Sequence, residues 1–351
     1  MKNWLWLIRL VVFALVVFGV SWQFQRILSS EALSKSNPGQ GPIEILSGFA
    51  FQLGWIKIGS AVLFYILGIG CSFIFWHICV KKLGDNMSLR RGALAFYYSQ
   101  WGKYAPGKGL ALVMRVGGAV KAGASVPIAA VASVFEVLVT MVSGAFLGLL
   151  LGLGFAWLAP KDSPTTILFH AGIILGVAAI PVLPPIFDRL VFRMAKRFLS
   201  PHHKFTKPDW GDLGRGILLT SGNWLLLGAS LWLLVSGFEV SGLDGFSGWL
   251  RCIMFVCLAN VGGFIASTPG GLGVREFLLE QYLEPFLGAQ SVVVVLLLRL
   301  LWTFAEVLAV GPLWIVSGQN RKTTLMELSA QEGINAATQH SGAGIQRRGE
   351  P

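Results

Sequence analysis

Two runs of proline, glycine and charge stand inside otherwise apolar sequence. The first reads Pro106-Gly107-Lys108-Gly109, then Arg115, with Glu136 in the next apolar stretch as Phe135-Glu136-Val137. The second reads Pro269-Gly270-Gly271-Leu272-Gly273, then Arg275-Glu276, with Glu306 following as Ala305-Glu306-Val307. Proline removes a backbone donor and glycine unwinds what remains, so each run breaks a helix and leaves amides unpaired at the start of its second half. The helix dipole favours an anion at such an end. Arginine grips phosphate in a two-pronged fork, so Arg115 and Arg275 suit a phosphate-bearing group. Glu136 and Glu306 are then partners for arginine, or contacts for a cationic headgroup or a proton. A structural alternative is that Arg115–Glu136 and Arg299–Glu306 only neutralise each other; Arg299, Thr303 and Glu306 share one helical face.

Other constellations carry less. Gly102-x4-Gly107-Lys108 imitates the start of a phosphate-binding P-loop, but Gly109 stands where Ser or Thr is needed and aromatics precede it instead of a strand. His202-His203 lies in a basic loop, and His77 and His170 sit singly in apolar runs, which fits surface or packing roles. Cys71, Cys79, Cys252 and Cys257 have neither zinc nor redox spacing and read as packing residues. No metalloprotease pair or nucleophile elbow appears. The expectation is a non-enzymatic protein with no cofactor and no metal.

The elements that must hold these residues are set by composition. Of the 351 residues, 54% are hydrophobic and 13% charged, about half the charged share of a soluble domain. A bilayer solvates that apolar surface, and 13 Trp and 43 Gly suit interfacial belts and close helix packing. The net charge of +11 falls between apolar runs, which points to basic loops on an anionic leaflet and not to a nucleic-acid partner. A crossing needs about 20 apolar residues. Runs at 4–25, 58–80, 126–160, 163–187, 216–238 and 286–317 meet that length and predict six spans, the first an uncleaved anchor. The stretches 92–120 and 252–288 are the broken ones, each predicted as two short half-helices that enter the membrane and turn back.

With both termini inside, cytoplasmic segments carry 21 of the 28 Lys and Arg and outer loops five. That bias supports an N-in, C-in protein of a bacterial inner membrane. The broken stretches then enter from opposite sides, an inverted pair of the kind that marks a midplane site in transporters. Residues 1–320 form one membrane domain, and the polar, aperiodic 321–351 reads as a disordered cytoplasmic tail.

Gly102-Lys103-Tyr104-x-Pro106-Gly107 with Arg115, Gly123 and Glu136, and Pro269-Gly270-Gly271-Leu272-Gly273-x-x-Glu276, resemble two signatures of the lysylphosphatidylglycerol synthase transmembrane-region family. The resemblance covers most of residues 5–320. It implies a flippase-like domain that moves aminoacylated phosphatidylglycerol between leaflets, while other relatives accompany isoprenoid-lipid, hopanoid or glycosyltransferase systems. About 30 residues follow the last span, so the translocating half is expected without a synthase domain.

The reading that results is a lipid translocase. A headgroup would touch Lys103, Tyr104, Arg115, Glu136, Arg275, Glu276 and Glu306, with Pro106, Gly107, Pro269, Gly270, Gly271 and Gly273 shaping the turns. Its partner is a membrane lipid with an anionic or zwitterionic headgroup, joined by a separately encoded lipid-modifying enzyme. No ATPase motif is present, so energy comes from a gradient, from proton coupling, or from none. The rivals are a non-catalytic scaffold for lipid or envelope enzymes, and an intramembrane transferase for which no nucleophile is visible.

Overall fold

The computed structural model describes residues 41–104, 109–158, 184–187, 189, 206, 208–238, 240–265 and 273–312. Among these, every regular element is helical. Helix α1 spans Pro42–Leu53 and α2 Trp55–Leu83; α3 (Leu89–Ser99) runs through a tight 3₁₀ turn, Gln100–Tyr104, towards α4 (Gly109–Lys121). Then come α5 (Val126–Leu158), a single turn at Pro184–Phe187, α6 (Trp210–Val235), α7 (Gly245–Ile265), α8 (Val274–Leu287) and α9 (Gln290–Pro312). Five of them, α2, α5, α6, α7 and α9, are long and apolar enough to cross a membrane. Large apolar side chains such as Trp55 and Trp157 lie open at helix ends, where water would penalise them and a lipid interface would not. The chain is an all-α, multi-pass membrane protein. The crossing expected at 4–25, and that at 163–187 apart from its last turn, lie outside the described residues.

Helix directions follow from local chemistry. Gly84, at φ 118°, stops α2 just after Lys81 and Lys82, whose charges suit the carbonyl end of a helix. Asp209 caps α6 by accepting from the amide of Asp212 at 2.8 Å, and Lys82 reaches the Asp209 carboxylate at 2.9 Å. Ser230 donates to the Ala61 carbonyl at 2.9 Å, so α2 and α6 run antiparallel along their length. Trp224 of α6 donates to the Thr140 carbonyl of α5 at 3.0 Å, and Gly216 faces Val139, so α5 and α6 run parallel. Gly228 lets α6 press on α7: a Cβ there would lie 2.7 Å from the Ile253 Cα.

Both broken stretches are hairpins. In the first, Ser88 donates its amide to the Ala122 carbonyl at 3.1 Å and Ser125 donates its hydroxyl to Asp85 at 2.7 Å, so the two ends are tied together. Its limbs have 11 and 13 residues, about 16 and 20 Å, too short to cross a core of about 30 Å. In the second, Leu278 lies against Gly262, and Phe286 meets Arg251 near the start of α7, so α8 returns along α7. The two hairpins therefore enter the bundle from opposite ends. The first limb of the second is longer than the sequence suggested: α7 starts at Gly245 and has 21 residues. Arg251 does not interrupt it, because the guanidinium donates to the Gly242 carbonyl at 2.8 Å and lies over the Phe155 and Phe286 rings.

Each hairpin packs with the span that follows it in a core of its own. Ala119, Ala129 and Phe135 belong to one core; Leu279, Leu283 and the α9 residues Val294, Leu298 and Trp302 belong to the other. Helix α2 contributes to both, Val62 and Tyr65 to the second, Phe73 and Trp76 to the first.

Gly228→Ala should lower stability by about 1–3 kcal/mol, because backbone of α7 must move to admit the methyl. Gly222→Ala, whose Cβ would lie 3.5 Å from Cys71 Sγ in ordinary contact, should be near neutral. Thermal unfolding of the two variants in detergent compares them directly.

Candidate functional site

Residues beside the two hairpin tips, Lys103 and Tyr104 of the first and Arg275 and Glu276 of the second, converge on α9. The centre is the Glu306 carboxylate, 2% exposed. Tyr65 of α2 and Lys103 of the first hairpin both donate to its Oε1, and Tyr104 donates to Oε2 at 2.9 Å. Thr303 lies 3.0 Å from the Tyr104 hydroxyl, and Trp101 donates to the Glu306 carbonyl at 3.4 Å. Gly102 makes this approach possible: a Cβ there would lie 2.5 Å from the Ala111 Cα, so only glycine lets the turn press on α4.

The second hairpin adds its own charges beside these. Arg275 and Glu276 stand in the first turn of α8, where Glu276 Oε2 accepts from the Gly273 amide at 2.8 Å and so caps its own helix. The Arg275 guanidinium lies over the Trp302 ring at 5.7 Å, and Trp302 stacks on Tyr65 with centroids 5.0 Å apart. Arg299, 4% exposed, lies over the Tyr104 ring at 5.5 Å and has its Nε 3.5 Å from Glu276 Oε1. Among the described residues, three cations (Lys103, Arg275, Arg299) thus meet two carboxylates (Glu276, Glu306), one positive charge in excess. Among the described residues, Nε and Nη1 of Arg275, Nε and Nη2 of Arg299 and Oε1 of Glu276 are buried without a hydrogen-bond partner. Buried polar atoms are rarely left so.

Arg115 and Glu136 form a second cluster that shares no partner with the first. Arg115 donates to Glu136 Oε2 at 2.5 Å and to Ser99 at 3.1 Å, and lies over the Phe96 ring at 4.0 Å. Thr140 donates to Glu136 Oε1 at 3.2 Å. Among the described residues, no buried atom of this pair lacks a hydrogen-bond partner, whereas several of the first cluster do.

A profile of the lysylphosphatidylglycerol synthase TM region family matches residues 3–311. The chain belongs to that family. No curated protein matches it.

Within this family member, the structure gathers Lys103, Tyr104, Arg275, Glu276 and Glu306 of the seven candidate contacts and leaves Arg115 and Glu136 apart. Of the turn residues, Gly273 is described, with φ 84° at the N-cap of α8. Pro106, Gly107, Pro269, Gly270 and Gly271 lie outside the described residues. Arg299 faces Glu276 on another element, not Glu306 on its own helix. Tyr65 and Trp302 were not singled out from sequence, since an aromatic in an apolar helix reads as packing. The four cysteines are free, and three are buried.

Glu306→Ala should destabilise strongly, by about 3–5 kcal/mol, because it strands Lys103 in a buried site. The double variant Lys103→Met with Glu306→Leu should recover most of that loss. A double-mutant cycle on chemical unfolding in detergent measures the coupling.

Proposed function

We propose that this protein moves a phosphate-bearing lipid between leaflets without altering it chemically. The observation that carries this reading is the excess positive charge at the meeting point of two hairpins, with guanidinium nitrogens of Arg275 and Arg299 buried and unpartnered. Such nitrogens are costly unless a ligand completes them, and intramembrane charges of this kind mark substrate pathways. A headgroup phosphate would sit at Arg275 and Arg299 while its acyl chains stay in lipid. Lys103 and Tyr104, on the first hairpin, would meet it from that hairpin's side, which would be the cytoplasmic face of a bacterial inner membrane if the basic loops and both termini lie inside. Arg115 and Glu136 would serve as the matching station of the other half.

Lipids of the kind named by the family, aminoacyl-phosphatidylglycerols, and isoprenoid-linked phosphates both present the required phosphate. A separately encoded lipid-modifying enzyme would supply or consume the lipid. The scaffold reading draws on the closed Arg115–Glu136 pair, which holds α4 to α5 whether or not anything moves. It gives no role to the unpartnered nitrogens.

The test is headgroup sidedness in proteoliposomes carrying purified protein, with fluorescent phosphatidylglycerol, its lysyl form and an isoprenyl phosphate. At least one should equilibrate faster than in empty vesicles, and Arg275→Ala should slow it by about tenfold or more, one lost charge-assisted contact. Folded Arg115→Ala and Glu136→Gln variants report whether the second station is needed. No movement of any lipid across a range of pH gradients would favour the scaffold, and a lipid of altered mass would point to a transferase.

A further inference from the structure

The unpartnered atoms beside the second hairpin tip define the chemistry that could complete them. Four are donors, Nε and Nη1 of Arg275 and Nε and Nη2 of Arg299; one is an acceptor, Glu276 Oε1. In Arg299 the free pair is the side-on edge of the guanidinium, the edge that holds two oxygens of one phosphate. Glu276 Oε1 is 3.5 Å from Arg299 Nε, an ion-pair distance and not a hydrogen bond. A ligand that completes this set brings acceptor oxygens, at least two of them sharing a negative charge, and one hydrogen to give. A phosphodiester with a hydroxyl on a nearby carbon has that pattern.

An ammonium has no such place. The carboxylate best surrounded to receive one is Glu306, and the chain's own amine already occupies it. Lys103 Nζ sits on Glu306, 5.2 Å from the Tyr104 ring centre and 6.0 Å from that of Tyr65, the carboxylate and aromatic surroundings that recognise an ammonium. An ammonium brought to Glu276 instead would lie against Arg299. With one positive charge in excess, the cluster is neutralised by a ligand of charge −1 and made worse by a cationic one.

We propose that this site selects lipids bearing a single phosphodiester charge and a neighbouring hydroxyl, and rejects headgroups that carry an ammonium, with Lys103 as the specificity-determining residue. The proposal rests on the reading that the cluster meets a lipid headgroup, and of the phosphate-bearing lipids that reading admits it excludes the aminoacyl-phosphatidylglycerols. Removing Lys103 takes away one positive charge and opens the Glu306 slot, so it converts an anion site into one that accepts an aminoacyl or ethanolamine headgroup.

The experiment is equilibrium binding to the full-length protein in detergent micelles, read as displacement of fluorescent phosphatidylglycerol. Competitors are phosphatidylglycerol, lysyl-phosphatidylglycerol, phosphatidylethanolamine and soluble glycerol 3-phosphate. Wild type should prefer phosphatidylglycerol over both ammonium-bearing lipids by about tenfold or more, and glycerol 3-phosphate should compete only weakly. In Lys103→Met that preference should shrink by about tenfold, since the ammonium-bearing lipids gain a free carboxylate. Arg299→Lys, which keeps the charge and loses the fork, should weaken phosphatidylglycerol binding while leaving the ranking unchanged. Equal wild-type affinities, a preference for the lysyl lipid, or a uniform loss in Lys103→Met would each sink the proposal. So would glycerol 3-phosphate competing as well as the lipid, which would make this a soluble-phosphate site. The wild-type ranking decides alone if Lys103→Met does not fold. Selective binding without transbilayer movement would overturn the translocase and leave the selectivity standing; movement of the lysyl lipid as fast as phosphatidylglycerol would do the reverse.

Discussion

A carboxylate on a membrane-crossing helix must be hydrogen-bonded and charge-matched inside the protein, because lipid offers it nothing. Glu306 is in that position, and the rest of the architecture meets its demand. Arg299 of its own helix is drawn to Glu276, so its donors come from elsewhere: Tyr65 from α2 and Lys103 with Tyr104 from the first hairpin. Tyr65 comes from an unbroken crossing helix, whereas Lys103 and Tyr104 come from a chain that enters and returns. The 3₁₀ turn at Gln100–Tyr104 and the close approach at Gly102 present those two side chains to Glu306.

The second hairpin solves a related problem differently. Glu276 is drawn to its own helix start, and nitrogens of Arg275 and Arg299 are left buried without hydrogen-bond partners. Around Glu306 every charge is matched; a few ångströms away the matching stops. The Arg115–Glu136 pair shows that this fold can close such a cluster completely, with Ser99 and Thr140 satisfying what the ion pair leaves over. Among the described residues, the buried atoms of Arg and Glu left without a hydrogen-bond partner all belong to Arg275, Glu276 and Arg299.

Much of this was legible along the chain, for a physical reason. Charges in apolar runs are conspicuous, so Arg115, Glu136, Arg275, Glu276 and Glu306 could be read as buried partners, and Pro with Gly marked both breaks. What could not be read was pairing across elements. Arg299 and Glu306 share a helical face, yet Arg299 lies near Glu276, because helix-to-helix approach decides which charges come close. Tyr65 was silent, since its hydroxyl matters only once Lys103 and Glu306 surround it. Arg251 misled in the other direction: a charge beside an apolar run suggested that α7 starts after it, whereas the Gly242 carbonyl and two aromatic rings accommodate it within the helix.

Helix α2 belongs to both cores, and one stripe of it touches both carboxylates. Tyr65 holds Glu306, and Ser72, seven residues on, has its side chain beside Glu136. Seven residues are two helical turns, so these contacts share a face and stand about 10 Å apart along the axis. The vertical interval between the charges of the two halves is thus measured in helical pitch, not in loop length. One residue added or removed between Tyr65 and Ser72 would swing one of these contacts about 100° around the axis while leaving the other in register.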